Sequence, residues 1–380
     1  MYAKPTCPTP LKILLIVVIA VELVAIGLLL AGRAGASEGS AAAGSSADSA
    51  AAAAPIANDA ASQGADGNAA ASDPATAPEP VTLTVTFAGD CTLGTDINYE
   101  NERSFNSRWQ AEEGDATYFL RNVADLFGSD DLTVVNMEGE RADKKFAFRG
   151  KPEYAKILSS ASVEAATLAN NHSQDYGQTG YDDTIAALDA EGVQSFGYDR
   201  IAYLDVKGVK VALIGSYFPE DSAENTKEMT DNIAAARAEG AQLVIVYVHW
   251  GQEHEYDITE GQQTAGRAAI DAGADLVVGS HPHVVQGWEV YQGRYIVYSL
   301  GNFCFGGNTN PDDKDCLIFQ QTFTVTGDTV AKNDDVDFIA ASVSTETDRN
   351  TYQPILAEGD EKARIEAKVQ EAADRIAAAA

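Results

Sequence analysis

Between Val81 and Ala272 short apolar runs alternate with stretches of helical periodicity, which restricts the chain to a parallel or mixed sheet with helices outside it. Val81 to Ala88, Leu132 to Met137, Val163 to Leu168, Leu243 to Val248 and Leu276 to Val278 read as strands, the first stopping at Gly89-Asp90. Helices are predicted from Ala116 to Phe127, Thr179 to Ala190, Thr226 to Ala238 and Thr259 to Ala272, with Thr259 as an N-cap. Two runs around Lys207-Gly208 form a predicted hairpin, and turns at Gln292-Gly293 and Thr326-Gly327-Asp328 add antiparallel strands. Residues 346–380 are expected to be a loose helical tail, with the helix, rich in Ala, Glu and Lys, running from Asp360 to Ala380.

The polar residues in this alternation fall at strand ends. Asp90, Glu138, Asn171 with His172, His249, and the pair His281 and His283 each follow an apolar run. In an open α/β sheet the carboxyl ends of the strands border one crevice, so these side chains are expected to converge. Each alone has a plainer reading: Asp90 as a turn or capping residue, Asn170 and Asn171 as turn formers, His249 as a satisfied core histidine. Their repetition at successive strand ends does not. Carboxylate, amide oxygen and imidazole together suit one or two divalent ions of the Mn, Fe or Zn type. Water on such a centre is a nucleophile near neutral pH. Asn136, Asn170, Glu253 and Asn302 are expected to orient the ligands from behind, and His254, between Glu253 and Glu255, is expected at the surface.

The amino-terminal part reads differently. Residues 13–31 are apolar and about long enough to span a bilayer, with Lys4 and Lys12 before them, which favours a cytoplasmic segment 1–12. Glu22 within the run costs about 3 kcal/mol, less than its apolar neighbours supply. The run reads as a single-pass signal anchor, although Ala34-Gly35-Ala36 has the small-residue pattern of a cleavage site. Residues 32–80, rich in Ala, Ser, Gly and Pro, are expected to be a disordered linker. The main domain then lies outside the cytoplasm, at the cell membrane. A formal net charge of −31 argues against nucleic acid as a partner. Cys304 and Cys316 bracket a polar loop that a disulfide could close, and Cys91 reads as a buried, inert thiol.

Six stretches together resemble one family: Gly89-Asp90, NMEGE from Asn136, ANNHSQDYG from Ala169, HWGQEHEY from His249, GSHPHVVQ from Gly279 and YSLGNFCF from Tyr298. They are similar in kind and order to the CapA family, associated with bacterial poly-gamma-glutamate capsule production, whose fold resembles the calcineurin-like metallophosphoesterases. The resemblance covers about residues 82 to 325. It implies an α/β sandwich of two mixed sheets flanked by helices, over residues 81–345. It also implies metal ligands at Asp90, Glu138, Asn171, His249, His281 and His283, and a His172, oriented by Asp175, that protonates a leaving group or stabilises developing charge. One position departs: Thr92 stands where a phosphoesterase has a histidine, leaving one ion or two open. The implied function is membrane-anchored capsule biosynthesis, export or attachment, with polyglutamate or another envelope polymer as substrate and capsule polymerase subunits as partners. A cell-envelope phosphoesterase or amidase unrelated to capsule, or a non-catalytic scaffold, are the competing classes.

Overall fold

A computed structural model describes residues 78–96, 100–139, 148–333 and 335–379. The predicted anchor and nearly all of the predicted linker lie outside these residues. Among the described residues no helix is long and apolar enough to cross a membrane.

In chain order the elements are β1 (Val81–Thr92), β2 (Thr95–Asp96), α1 (Phe105–Ala111), α2 (Thr117–Leu120), α3 (Ala124–Phe127), β3 (Leu132–Met137), β4 (Phe148–Arg149), α4 (Ala155–Ser159) and β5 (Ala165–Thr167). Helix α5 (Gly177–Ala190) leads to β6 (Gln194–Phe196), and β7 (Ala202–Val206) and β8 (Val209–Tyr217) make the predicted hairpin. Then come α6 (Ala223–Ala238), β9 (Leu243–His249), α7 (Glu260–Asp271) and β10 (Leu276–Ser280). The remainder is β11 (Trp288–Tyr291), β12 (Arg294–Val297), β13 (Asn302–Phe305), β14 (Asp315–Thr326), β15 (Thr329–Val330), β16 (Val336–Ser342), β17 (Ile355–Leu356) and α8 (Gly359–Ala379).

Two mixed sheets result. The larger runs β17-β16-β14-β1-β3-β5-β6, with β13 also on β1 and β15 on β14; the smaller runs β11-β12-β10-β9-β8-β7. In both, the central pairs β1–β3, β3–β5, β8–β9 and β9–β10 are parallel. Strand β9 explains how the layers form. Every residue of LVIVYVH is buried, and successive side chains face opposite ways. Leu243, Ile245 and Tyr247 enter the core shared with Leu83, Val85 and Phe87 of β1, while Val244, Val246 and Val248 meet Met229 and Ile233 of α6 and Ala265 and Ala269 of α7. The two sheets therefore pack face to face. A third apolar cluster backs the larger sheet with α1 to α5 residues such as Phe105, Phe119, Ile157 and Leu188.

Several expectations need correction. Strand β1 does not stop at Gly89-Asp90 but continues to Thr92, with a register shift against β3 between Ala88 and Asp90. Such a bulge re-aims the side chains beyond it. The single helix predicted over 116–127 is two short ones, because Val123 leaves the helical region at φ −122°. Tyr118, Phe119, Leu120, Val123 and Phe127 are all buried, more apolar surface than one face of a straight helix presents. The Val163 to Leu168 strand shrinks to three residues, and helix α1 was not predicted. Cys304 and Cys316 are free thiols, buried with Cys91 in the outer cluster of the larger sheet, and form no bridge. The carboxyl-terminal helix is not loose: Ile365 and Val369 enter the inter-sheet core, and Arg364 and Lys368 pair with Asp315.

The cap on α7 is as predicted. The Thr259 side chain accepts from the Gln262 amide, and the Gln262 side chain accepts from the Thr259 amide at 2.9 Å, a capping box. Replacing Thr259 by Ala is expected to lower stability by about 1 kcal/mol, read as a lower urea midpoint at unchanged slope.

Candidate metal centre

Strand ends and the loops after them supply the cluster. Strand β1 carries Asp90 beyond its bulge, β3 ends just before Glu138, β9 ends in His249, and β10 runs into His281 and His283. Asp90, Glu138 and His249 are each no more than 1 % exposed. Gly89 makes the closest approach: an added Cβ would lie 1.9 Å from the Gly301 carbonyl oxygen. That contact brings β1 beside β13, with Asp90 in register with Asn302.

The imidazoles surround one oxygen. Glu138 Oε1 lies 3.8 Å from His249 Nε2, 3.8 Å from His283 Nε2 and 4.0 Å from His172 Nε2. It is buried without a hydrogen-bond partner among the described residues, as is Nδ1 of His281. The other Glu138 oxygen accepts from the Thr92 hydroxyl at 3.2 Å. Thr92, which stands where the resemblance expects a histidine, thus turns a single carboxylate oxygen toward the histidines. Asp90 Oδ1 accepts from Asn136 at 2.7 Å, and Oδ2 lies 3.4 Å from His283 Nδ1. The ligand atoms of Asp90, Glu138 and His283 lie within 4.8 Å of one another, as do those of Glu138, His249 and His281.

A supporting network sits behind them. Asn136 reaches both Asp90 and His249 Nδ1, and its own oxygen accepts from Asn170 at 3.1 Å. Asn170 also donates to the Met137 carbonyl and accepts the His172 amide. Asn302 Oδ1 is 2.9 Å from His283 Nδ1 while its amide nitrogen donates to the His283 carbonyl. Asn171 Oδ1 is 2.7 Å from His249 Nε2, and Asp175 Oδ2 is 2.9 Å from His172 Nδ1. Ser280, absent from the sequence reading, contacts His249 Nδ1 at 3.1 Å. Its only sequence signal was its place at the end of β10. Glu253, expected to orient the imidazoles, groups with His281 and His283.

Charge is divided unevenly. Burial raises the Glu138 carboxyl to about 7, against the pull of the His283 charge. Burial works against the His283 imidazolium, yet Glu138 and Asp90 hold it up to about 10. Burial and the neighbouring His283 push His281 down to about 4, and burial keeps His249 neutral. Asp90 is held below the ordinary carboxylate range because hydrogen bonding and charge from His283 outweigh its burial. For His172 the Asp175 carboxylate overcomes burial and raises the imidazole. The orphaned Glu138 oxygen and the neutral imidazoles of His281 and His249, each with one unprotonated ring nitrogen, can offer lone pairs around one point, so this residue set fits a divalent metal ion.

The cluster opens into a cleft of about 780 Å³ bordered by Asn171, His172, His283, Tyr256 and Lys368.

Residues 84–307 match the family described as bacterial capsule synthesis protein PGA_cap. The chain is 30% identical over 250 residues to the PGA biosynthesis protein CapA of Bacillus subtilis, covering 59% of this chain and 63% of that protein. It is 31% identical over 255 residues to the capsule biosynthesis protein CapA of Bacillus anthracis, covering 59% and 60%. The match thus spans about six-tenths of the length of these relatives. Among solved structures, a 5'-nucleotidase from Candida albicans aligns with a TM-score of 0.39 at 13% identity over 76% of this chain and 56% of that one, too distant to assign fold or chemistry. With more than half of its length matching, in the region that holds the histidine cluster, the chain belongs to the CapA family of bacterial capsule synthesis proteins.

Proposed function

We propose that this protein is a membrane-anchored, extracytoplasmic component of poly-gamma-glutamate capsule biosynthesis, export or attachment, and that its cluster is a metal-dependent hydrolase site. The observation that carries the catalytic part is the convergence of three imidazole Nε2 atoms on one orphaned, buried carboxylate oxygen. Buried polar atoms ordinarily find a partner, whereas Glu138 Oε1 and His281 Nδ1 have none among the described residues, as donors of a ligand set do without their ion. The membrane part rests on residues 13–31 and the capsule part on family membership.

In this reading Asp90, Glu138, Asn171, His249, His281 and His283 hold the ion. The ion supplies Lewis acidity and a water that is nucleophilic near neutral pH. His172 stands at the cleft side of the cluster, and the 2.9 Å contact from Asp175 to its Nδ1 sets which ring nitrogen faces the site. Its Nε2 is then placed to give a proton to the leaving group of a phosphoryl or acyl substrate. Asn136 and Asn302 keep the ligands in orientation through the hydrogen bonds above.

The test is metal content. The full-length chain is expected to retain divalent metal through desalting and to hydrolyse a chromogenic phosphodiester or amide with added Mn²⁺, while His283→Ala loses both. Equal metal content in the two proteins would remove the reading. Loss of surface polymer on deletion of the gene, restored by the parent chain and not by His283→Ala, is the corresponding cellular result.

A further inference from the structure

The turn that carries Asn171 and His172, between β5 and α5, is gripped from two sides. On one, the Asn170 side chain donates to the Asn136 oxygen and to the Met137 carbonyl, which fastens the turn to the end of β3. On the other it meets the connection between β6 and β7. There Gly197 takes φ +140°, and an added Cβ would lie 2.7 Å from the Ala169 backbone nitrogen. Tyr198 follows with φ 57°, a left-handed backbone that a tyrosine adopts only where its surroundings enforce it. Here its amide donates to the Gly215 carbonyl at 3.0 Å, and the Asn232 side chain of α6 donates to its carbonyl at 3.0 Å.

These bonds place the Tyr198 hydroxyl. Its oxygen lies 2.9 Å from the Asn170 carbonyl oxygen, as does that of Ser173, and the two hydroxyl oxygens are 2.6 Å apart. Two protons serve three short contacts, so both are directed, straight or in relay, at that one carbonyl. The Ser173 contact is local and only closes the turn on itself. The Tyr198 contact comes from 28 residues further along the chain, so it fixes where the turn stands. The carbonyl belongs to the planar peptide that joins Asn170 to Asn171, and its direction sets how the Asn171 side chain leaves the backbone. Asn171 Oδ1 then reaches within 2.7 Å of His249 Nε2.

We propose that Tyr198 is a positioning residue for Asn171: its hydroxyl, acting through the Asn170 carbonyl, holds the Asn171 amide oxygen toward the histidine cluster. This role rests on the metal-dependent reading above, in which Asn171 is a ligand. The hydroxyl bonds the turn and not the ligands, so its effect on the centre passes through the backbone of that turn. The ring is held separately, edge-on to Tyr181 of α5 with centroids 6.3 Å apart. Removing the hydroxyl therefore frees the peptide without emptying a packed position.

Titration of metal-stripped full-length protein with Co²⁺, followed by the visible absorption of the bound ion, tests this in a double-mutant cycle. The parent chain is expected to bind the ion. Tyr198→Phe binds it about tenfold more weakly and with a displaced absorption band, while its urea midpoint stays near that of the parent. Asn171→Ala also weakens binding, and Tyr198→Phe added to it causes no further loss, because the group it positions is gone. Tyr203→Phe, at an exposed tyrosine of β7, changes neither affinity nor band. Unchanged affinity and band in Tyr198→Phe overturn the proposal. So does an equal loss that persists in the Asn171→Ala background, the result of a general structural role, and both outcomes leave the metal centre standing. A parent that binds no ion overturns the metal-dependent reading itself, and the role of Tyr198 with it.

Discussion

A Glu138→Gln chain is expected to bind its divalent metal at least about 100-fold more weakly and yet, metal-free at pH 8, to unfold at a higher temperature than the parent. Both effects come from one oxygen. Oε1 of Glu138 faces three imidazoles with no hydrogen-bond partner, so an ion there loses its central anionic ligand when the carboxylate becomes an amide. Without the ion that same charge is a burden. Burial raises the carboxyl from its ordinary 4.5 to about 7, even with the His283 charge beside it. A folded-state value above the unfolded one means that the folded protein holds the extra proton between these limits. Parent stability therefore falls as pH rises from 4.5 to about 7 and stays lower above it, whereas the amide avoids that loss. His283, raised to about 10, acts in the same sense: its stabilisation is complete below its ordinary 6.5 and is lost as pH climbs through 10. Metal binding runs the other way. It needs Glu138 ionised and His283 neutral, so affinity is expected to rise across this range with release of protons, measurable by titration calorimetry in buffers of different ionisation enthalpy. Equal metal affinity in the two chains, or a lower unfolding temperature for metal-free Glu138→Gln, would count against the role given to this residue.

Gly89→Ala is expected to cost about 3 kcal/mol or more in folding stability, as large as loss of a core side chain, from a single added methyl group. Its Cβ would lie 1.9 Å from the Gly301 carbonyl oxygen and 3.0 Å from the carbonyl carbon, both backbone atoms with no rotamer to change. The same oxygen accepts the Asp90 amide at 3.0 Å. Relief requires β1 and β13 to separate, which moves Asp90 away from Asn302 and from the Asn136 amide 2.7 Å distant. Equilibrium urea unfolding reads the stability loss, and the metal content of the surviving folded protein reads the displacement of Asp90. A loss under about 1 kcal/mol would mean that the strands yield more easily than two close-packed backbones should.

Much of the architecture was legible along the chain because the signals are local. β3 runs from Leu132 to Met137 as its apolar run suggested, the hairpins stand at their glycine turns, and Thr259 caps α7. The 116–127 helix misled because its periodicity counts apolar residues without saying how many directions they must face. Helix α8 misled for the opposite reason: its Ala, Glu and Lys composition hides the few residues, Ile365, Val369 and Ile376 among them, that seat it on the sheets.

The residue types at the strand ends were likewise present in the one-dimensional pattern, since a strand that closes on Asp, Glu or His must expose that side chain at a sheet edge. Which atom faces which was not. Thr92 turning one Glu138 oxygen inward, Asn302 meeting His283 Nδ1, and Glu253 grouping with His281 and His283 all depend on side chains brought together from distant segments. The amino-acid order determined the alternation of elements and the chemical inventory of the centre, because both follow from local periodicity and residue identity. The partners and charge states within it were decided only by folding, because burial and ångström-scale distance set them, and neither exists in an extended chain.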